Sequence, residues 1–157
     1  MKFLADYKVE EKMKDINCIF CKIAEGEIPS KTIYEDEEFR IILDINPATK
    51  GHALIIPKEH YANIYDLPED LAMKVMKLAK KFAMHMKEIL KCDGFNIVQN
   101  NGEVAGQTVF HFHMHLIPRY INDGNQEKLC WNHLELSEEE LQEIYQKLSL
   151  SISGKDV

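Results

Sequence analysis

His111, His113 and His115 alternate within T-V-F-H-F-H-M-H-L-I-P-R, the run from Thr108 to Arg119. Phe110, Phe112, Met114 and Leu116 fill the positions between and beside them. On a β-strand successive side chains point to opposite faces, so the run predicts three imidazoles on one face and the hydrophobes on the other. Residues two apart would then stand roughly 7 Å from one another. Imidazole suits nucleophilic, acid–base and metal chemistry near neutral pH. The plain alternative is a half-exposed strand whose polar positions happen to be His. Three in register beside so apolar a face favour an active site.

A second group with chemical potential is Cys18-Ile19-Phe20-Cys21; Cys92 and Cys130 stand apart. In a reducing compartment a disulfide framework is not expected. C-x-x-C then serves redox exchange or half of a zinc site, or is two buried thiols. A thioredoxin-like motif would follow a core strand, yet the mostly charged Met1 to Asn17 holds none. The spacing therefore leans toward zinc, with further ligands drawn from the histidines.

The chain around these groups is modest. Its 157 residues suit one domain with a real core. A hydrophobic fraction of 45% and a charged fraction of 29% are those of a soluble globular protein. No apolar run approaches the ~20 residues that span a bilayer, and no secretory signal opens the chain. A cytoplasmic protein with no membrane partner is the expectation. The net charge of −7 argues against a nucleic-acid interface built on phosphate neutralisation. It leaves room for one small nucleotide in a pocket.

The elements that must hold these residues read as a compact α+β domain. Ile19 to Glu25 is a short helix closed by Gly26. Thr32 to Glu35 and Phe39 to Asp44 are strands about an Asp36-Glu37-Glu38 turn. Asn46 to Gly51 is a loop, and His52 to Pro57 is a third strand. A long helix opens at Pro68 with Glu69 and Asp70 in its first turn. Its core stripe is Leu71, Val75, Leu78, Phe82, Met86 and Ile89, widened by Ala79, Ala83 and Leu90. Phe95 to Asn100 and Thr108 to Pro118 complete an antiparallel five-stranded meander, with Asn101 to Gln107 as the loop between them. Beyond Arg119 come a polar loop at Asp123-Gly124, a less regular stretch with Trp131 and His133, and a terminal helix. Ser137 to Glu140 forms its capping box, before Leu141, Ile144, Tyr145 and Leu148.

The run H-F-H-M-H-L-I closely resembles the histidine-triad (HIT) signature. Three further stretches, C-I-F-C-K-I-A-E-G-E-I-P-S, L-D-I-N-P-A-T-K-G-H-A-L-I-I-P-K-E-H and N-N-G-E-V-A-G-Q-T-V-F-H, are similar to the Hint-like branch of that superfamily, which includes nucleotide phosphoramidases and many small bacterial members. The likeness covers Cys18 to Arg119. It implies the HIT-like fold, with residues 1–17 as an extension and 120–157 as a carboxy-terminal segment with a helix, packed on the same single domain.

The resemblance also implies roles. His113 would be the nucleophile on the α-phosphorus of a purine nucleotide, forming a nucleotidyl-histidine that water hydrolyses to AMP. His115 would bond the phosphate or bridging oxygen, and His52 would support the centre. Asn100, Gln107 and Thr108 match polar phosphate neighbours, so catalysis would need no metal. Asp44 matches the carboxylate on the ribose hydroxyls, and Phe20, Ile23, Ile28, Ile42 and Ile45 match the base lining. Such aliphatics are also ordinary core residues. Bacterial-type members hold a structural zinc, here through Cys18, Cys21, His60 and His111, which would remove His111 from the reaction. Relatives are homodimers joined through the long helix and the strand near Phe95 to Asn100. Pro118-Arg119 is reminiscent of a diadenosine polyphosphate hydrolase instead; the cysteines and Gly106-Gln107-Thr108 favour the phosphoramidase side. A nucleotide-binding protein with vestigial activity is the third reading.

Overall fold

Local chemistry accounts for most element boundaries in the computed structural model, which describes residues 14–123 and 134–151. The extension through residue 13, Gly124, Cys130, Trp131 and His133 lie outside the described residues. Helix α1 (Ile19–Glu25) ends where Gly26 turns left-handed at φ 83°, and the Gly26 N–H closes on Ile23 O. Strands β1 (Thr32–Glu35) and β2 (Phe39–Leu43) follow. They are joined by a turn in which Asp36 Oδ1 accepts the N–H groups of Glu38 and Phe39 at 2.9 and 2.7 Å. Strand β3 (Ala53–Pro57) is buried along its whole length.

Helix α2 (Glu69–Leu90) starts after Pro68, and Val75, Leu78, Ala79 and Met86 bury its inner face. Leu71, Phe82 and Leu90 pack beside them. Ile89, expected in the same stripe, is instead exposed. Adjacent helical residues are turned about 100° from each other, and the buried line runs Phe82, Met86, Leu90. Strands β4 (Gly94–Val98) and β5 (Met114–Arg119) complete the sheet, with a single 3₁₀ turn at Glu103–Ala105 between them.

The sheet is antiparallel and five-stranded, in the order β1-β2-β3-β5-β4. Its order departs from a strict meander at one point. Helix α2 carries the chain past the central position to the far edge, and β5 returns between β3 and β4. The site strand thus lies inside the sheet, with His115 opposite Leu54 on one side and Val98 on the other.

Two apolar clusters sandwich the sheet. Phe39, Ile41, Ala53, Ile55, Phe112, Met114 and Leu116 join Val75, Leu78, Ala79 and Met86 of α2. On the other face Ile42, Leu54 and Ile56 meet Cys18, Phe20, Cys21 and Ile23 of α1 and its cap. This is why β3 alternates nothing; both of its faces are covered.

The chain divides into two compact units, Met1–Asn125 and Gln126–Val157. Within the second, α3 (Glu138–Ser151) opens on a true capping box: the Ser137 N–H reaches Glu140 Oε2 at 2.8 Å, and the Glu140 N–H reaches Ser137 Oγ at 3.2 Å. Its Leu141, Ile144, Tyr145 and Leu148 are exposed. Among the described residues no helix is long and apolar enough to cross a membrane.

Candidate active site

The histidine run is only partly a strand. β5 begins at Met114, so His111 and His113 precede it and His115 lies within it. The expected row of three imidazoles on one ladder is corrected accordingly. The Phe112 N–H donates to Tyr61 O at 2.6 Å rather than to a sheet neighbour, which bends the run before it joins β3. Alternation survives locally: Phe112, Met114 and Leu116 enter the α2 core, and His111 and His113 turn away from it. The imidazole side is no open face, however. His111 is 0% exposed and His113 is buried, while Phe110, expected with the hydrophobes, is 52% exposed.

His111 closes a cluster with Cys18, Cys21 and His60, whose ligand atoms all lie within 4.8 Å of one another. His111 Nδ1 is 3.4 Å from Cys18 Sγ and 3.5 Å from Cys21 Sγ, and His60 Nδ1 is 3.4 Å from Cys21 Sγ. A tetrahedral zinc with sulfur at ~2.3 Å and nitrogen at ~2.1 Å would separate them by about 3.6 Å. The other nitrogen of His111, Nε2, faces Pro57 O at 3.0 Å. Donating there leaves the Nδ1 lone pair directed at the cysteines, the outer contact a metal-binding imidazole needs. Burial, aided by His60 and His113, pushes the His111 pKa down to about 4, so the ring is neutral. Burial, with the neighbouring Cys18, raises the Cys21 thiol. Two sulfurs and two imidazoles, with Cys21 and His111 buried and His60 only partly so, form a set that fits a zinc ion.

A second cluster, Asp44, His52 and His115, is equally tight but differently wired. His52 Nδ1 accepts the Ala48 N–H at 3.0 Å. The hydrogen of His52 therefore sits on Nε2, which meets His115 Nδ1 at 2.9 Å. His115 is left with its hydrogen on Nε2. Both facing positions are used by one hydrogen bond, which fixes the hydrogen each of the two rings carries. Asp44 Oδ2 stands 3.6 Å from His52 Nε2, and its Oδ1 accepts the Asn46 N–H at 2.8 Å. Burial lowers the pKa of His52, against the pull of Asp44. It lowers that of His115 to about 4, with His113 and His52 adding to the effect.

His113 stands between the clusters. Its Nδ1 lies 2.7 Å from His111 O and donates to it, leaving a lone pair on Nε2. Burial lowers its pKa, opposed by that carbonyl and by Asp44, so the ring is uncharged near neutrality. Its ring centroid is 5.0 Å from that of His115 and 5.1 Å from that of Phe20, the latter edge-on.

The remaining expected residues fall into three groups. Phe20, Ile23 and Ile42 are buried, and Ile28 packs against their cluster beside Val109. Ile45 is 90% exposed and joins no described core. Asn100 is half-buried with Nδ2 3.4 Å from Gly106 O, and Thr108 is exposed. Gln107 is 1% exposed, with its carboxamide engaged by Gly102 N–H, Ala62 O and Val109 O. The groups that sequence reasoning missed are backbone atoms: Pro57 O, His111 O and Ala48 N–H. Any residue supplies them, so no residue type could have marked them.

The sequence match agrees with this geometry. The HIT domain family matches residues 25–122. Adenosine 5'-monophosphoramidase HNT1 of Saccharomyces cerevisiae is 39% identical over 142 residues, covering 90% of this chain and 87% of its own. The crystal structure of SMU.412c from Streptococcus mutans UA159 superposes with TM-score 0.82 at 39% identity, covering 89% of this chain and 88% of that one. A Zn-bound histidine triad family protein from Mycobacterium smegmatis has TM-score 0.67 and 38% identity, covering 87% and 98%. With the family match spanning the sheet, the long helix and all three histidines, this chain belongs to the HIT family.

Proposed function

We propose that the protein is a nucleotide hydrolase that cleaves at the α-phosphorus of a purine nucleoside phosphoramidate and releases AMP. The observation that carries this reading is the tautomer set: a lone pair on His113 Nε2 beside a hydrogen on His115 Nε2. The yeast relative named an adenosine 5'-monophosphoramidase supports the substrate class.

In the first step His113 Nε2 attacks phosphorus, and an N–P bond to the ring replaces the P–N bond to the amine. The His111 carbonyl accepts the Nδ1 hydrogen and supports the positive charge that develops on the ring. The amine, protonated on nitrogen before the P–N bond breaks, leaves as the neutral amine, while the His115 Nε2–H donates a hydrogen bond to the phosphate side and His52 holds His115 in that tautomer. Water then adds its oxygen to phosphorus and hydrolyses the nucleotidyl-histidine to AMP, leaving His113 neutral and one proton released to solvent. Asn100 and Thr108 supply neutral donors to the phosphate oxygens. Asp44 takes a ribose hydroxyl, and Phe20, Ile23, Ile28 and Ile42 wall the base, with Ile45 closing on it from solvent.

Zinc at Cys18, Cys21, His60 and His111 is structural in this reading and ties the start of α1 to the turn before β5. The Zn-bound relative from Mycobacterium smegmatis supports it. A homodimer in the cytoplasm completes the proposal, supported by β4 at the sheet edge and by exposed Met73, Met76 and Met84 on α2. The test is turnover of adenosine 5'-phosphoramidate by purified protein. His113→Ala should lose at least ~10³-fold in kcat; parent-like hydrolysis by the variant, or none by the parent, removes the reading.

A further inference from the structure

We propose that Gln107 does not bind phosphate but is a positioning residue, clamping the phosphate-side loop to the segment that follows His60. The inference deepens the function proposed above and rests on it for its kinetic part only. A carboxamide has two N–H hydrogens and one oxygen. Here Nε2 donates to Ala62 O at 2.6 Å and Val109 O at 3.0 Å, and Oε1 accepts the Gly102 N–H at 2.8 Å. Both hydrogens are committed inside the protein, and the side chain is closed from solvent. A phosphate oxygen would have to displace one of these bonds in a site that offers it no room.

The clamp has companions. The Ile64 N–H donates to Asn101 Oδ1 at 2.8 Å, and the Phe112 N–H donates to Tyr61 O at 2.6 Å. Residues 61, 62 and 64 are thus laced to residues 112, 107 and 101. The last two sit directly beside Thr108 and Asn100, the side chains assigned to phosphate. The loop between them turns through Gly102 and Gly106, both left-handed at φ 87° and 86°. Two such permissive residues would let the loop wander without an outside anchor. Gln107 and Asn101 are those anchors, and they set where Asn100 and Thr108 point.

The experiment measures amide hydrogen exchange, zinc content, and kcat and KM on adenosine 5'-phosphoramidate. The proteins are the full-length, zinc-loaded parent, Gln107→Met, Asn101→Ala and the double variant. Gln107→Met should keep its zinc, lose exchange protection at Gly102 and Gln107, and drop kcat by roughly tenfold to a hundredfold, as small misplacements of reacting groups do. Asn101→Ala should move the same amides and kcat less, and the double variant should fall short of the product of the two. Raised KM with unchanged loop exchange would mean a direct phosphate ligand and overturns the proposal. So does unchanged kcat with a lower Tm, the mark of a purely structural residue. If Gln107→Met does not fold, Asn101→Ala carries the same comparison. Should the parent fail to turn over, the function reading falls, and unchanged loop exchange in the variants would still overturn the clamp.

Discussion

His52 Nε2 and His115 Nδ1 share a single hydrogen bond at 2.9 Å, and its direction is set from outside by the Ala48 N–H on the far side of His52. A backbone amide thus decides which nitrogen of His115 carries a hydrogen. His52 contributes by fixing a tautomer two rings away from His113.

Removing that control should cost rate more than affinity. For His52→Ala we expect kcat to fall about 10²-fold, the usual reach of a positioned acid–base group, with AMP affinity within about threefold of the parent. His52→Gln, whose carboxamide can still donate to His115, should recover part of the loss. Steady-state kinetics with AMP titration reads both. Equal loss in the two variants contradicts this tautomer control.

Stability should decline with acid through these rings. His115 titrates at about 4 in the folded chain against 6.5 for the ordinary side chain, and His52 is shifted the same way. Between those values the unfolded chain binds more protons than the folded one. The stabilisation is therefore whole above about pH 6.5 and is lost as pH falls toward 4. Thermal melts from pH 7.5 to 4 should show Tm falling over that window, and His115→Gln should flatten the slope. An equal slope in the variant would assign the acid sensitivity elsewhere.

Zinc should be bound at one per chain and should support the fold. Cys18→Ser and Cys21→Ser each remove a thiolate from a closed four-ligand set, so metal content should drop well below stoichiometry and Tm should fall. Elemental analysis with melting curves reads this. Full zinc retention at parent Tm excludes the cluster Cys18, Cys21, His60 and His111 as the metal site.

Phe112, between His111 and His113, is fully buried against the α2 core. It is the anchor that turns both rings to the other side. Phe112→Ala should destabilise the fold by about 3–5 kcal/mol in denaturant unfolding. A loss under about 1 kcal/mol would mean that the run is held by its hydrogen bonds alone.

Much of the frame was legible because it depends on side-chain type. Gly26 permits a left-handed cap, Asp36 caps its own turn, Pro68 starts a helix and Ser137 pairs with Glu140. The period-two pattern at His111 to Leu116 placed Phe112, Met114 and Leu116 in the core. It overextended the strand, because nothing in it announces that the Phe112 amide is taken by Tyr61. Gln107 matched a phosphate neighbour by position, yet its bonding depends on Ala62, distant in sequence. Ile45 and Ile89 read as buried by type and are exposed, since type sets hydrophobicity and not which way the backbone turns.

The nucleophile is best tested by catching it. Adenosine 5'-phosphoramidate is mixed with protein, quenched in alkali within the first turnover, and the digest is mapped by mass spectrometry. An adenylyl group on the peptide carrying His113, absent in His113→Ala, is the expected result. An adduct on another residue, or AMP formed at the parent rate by His113→Ala, would contradict it.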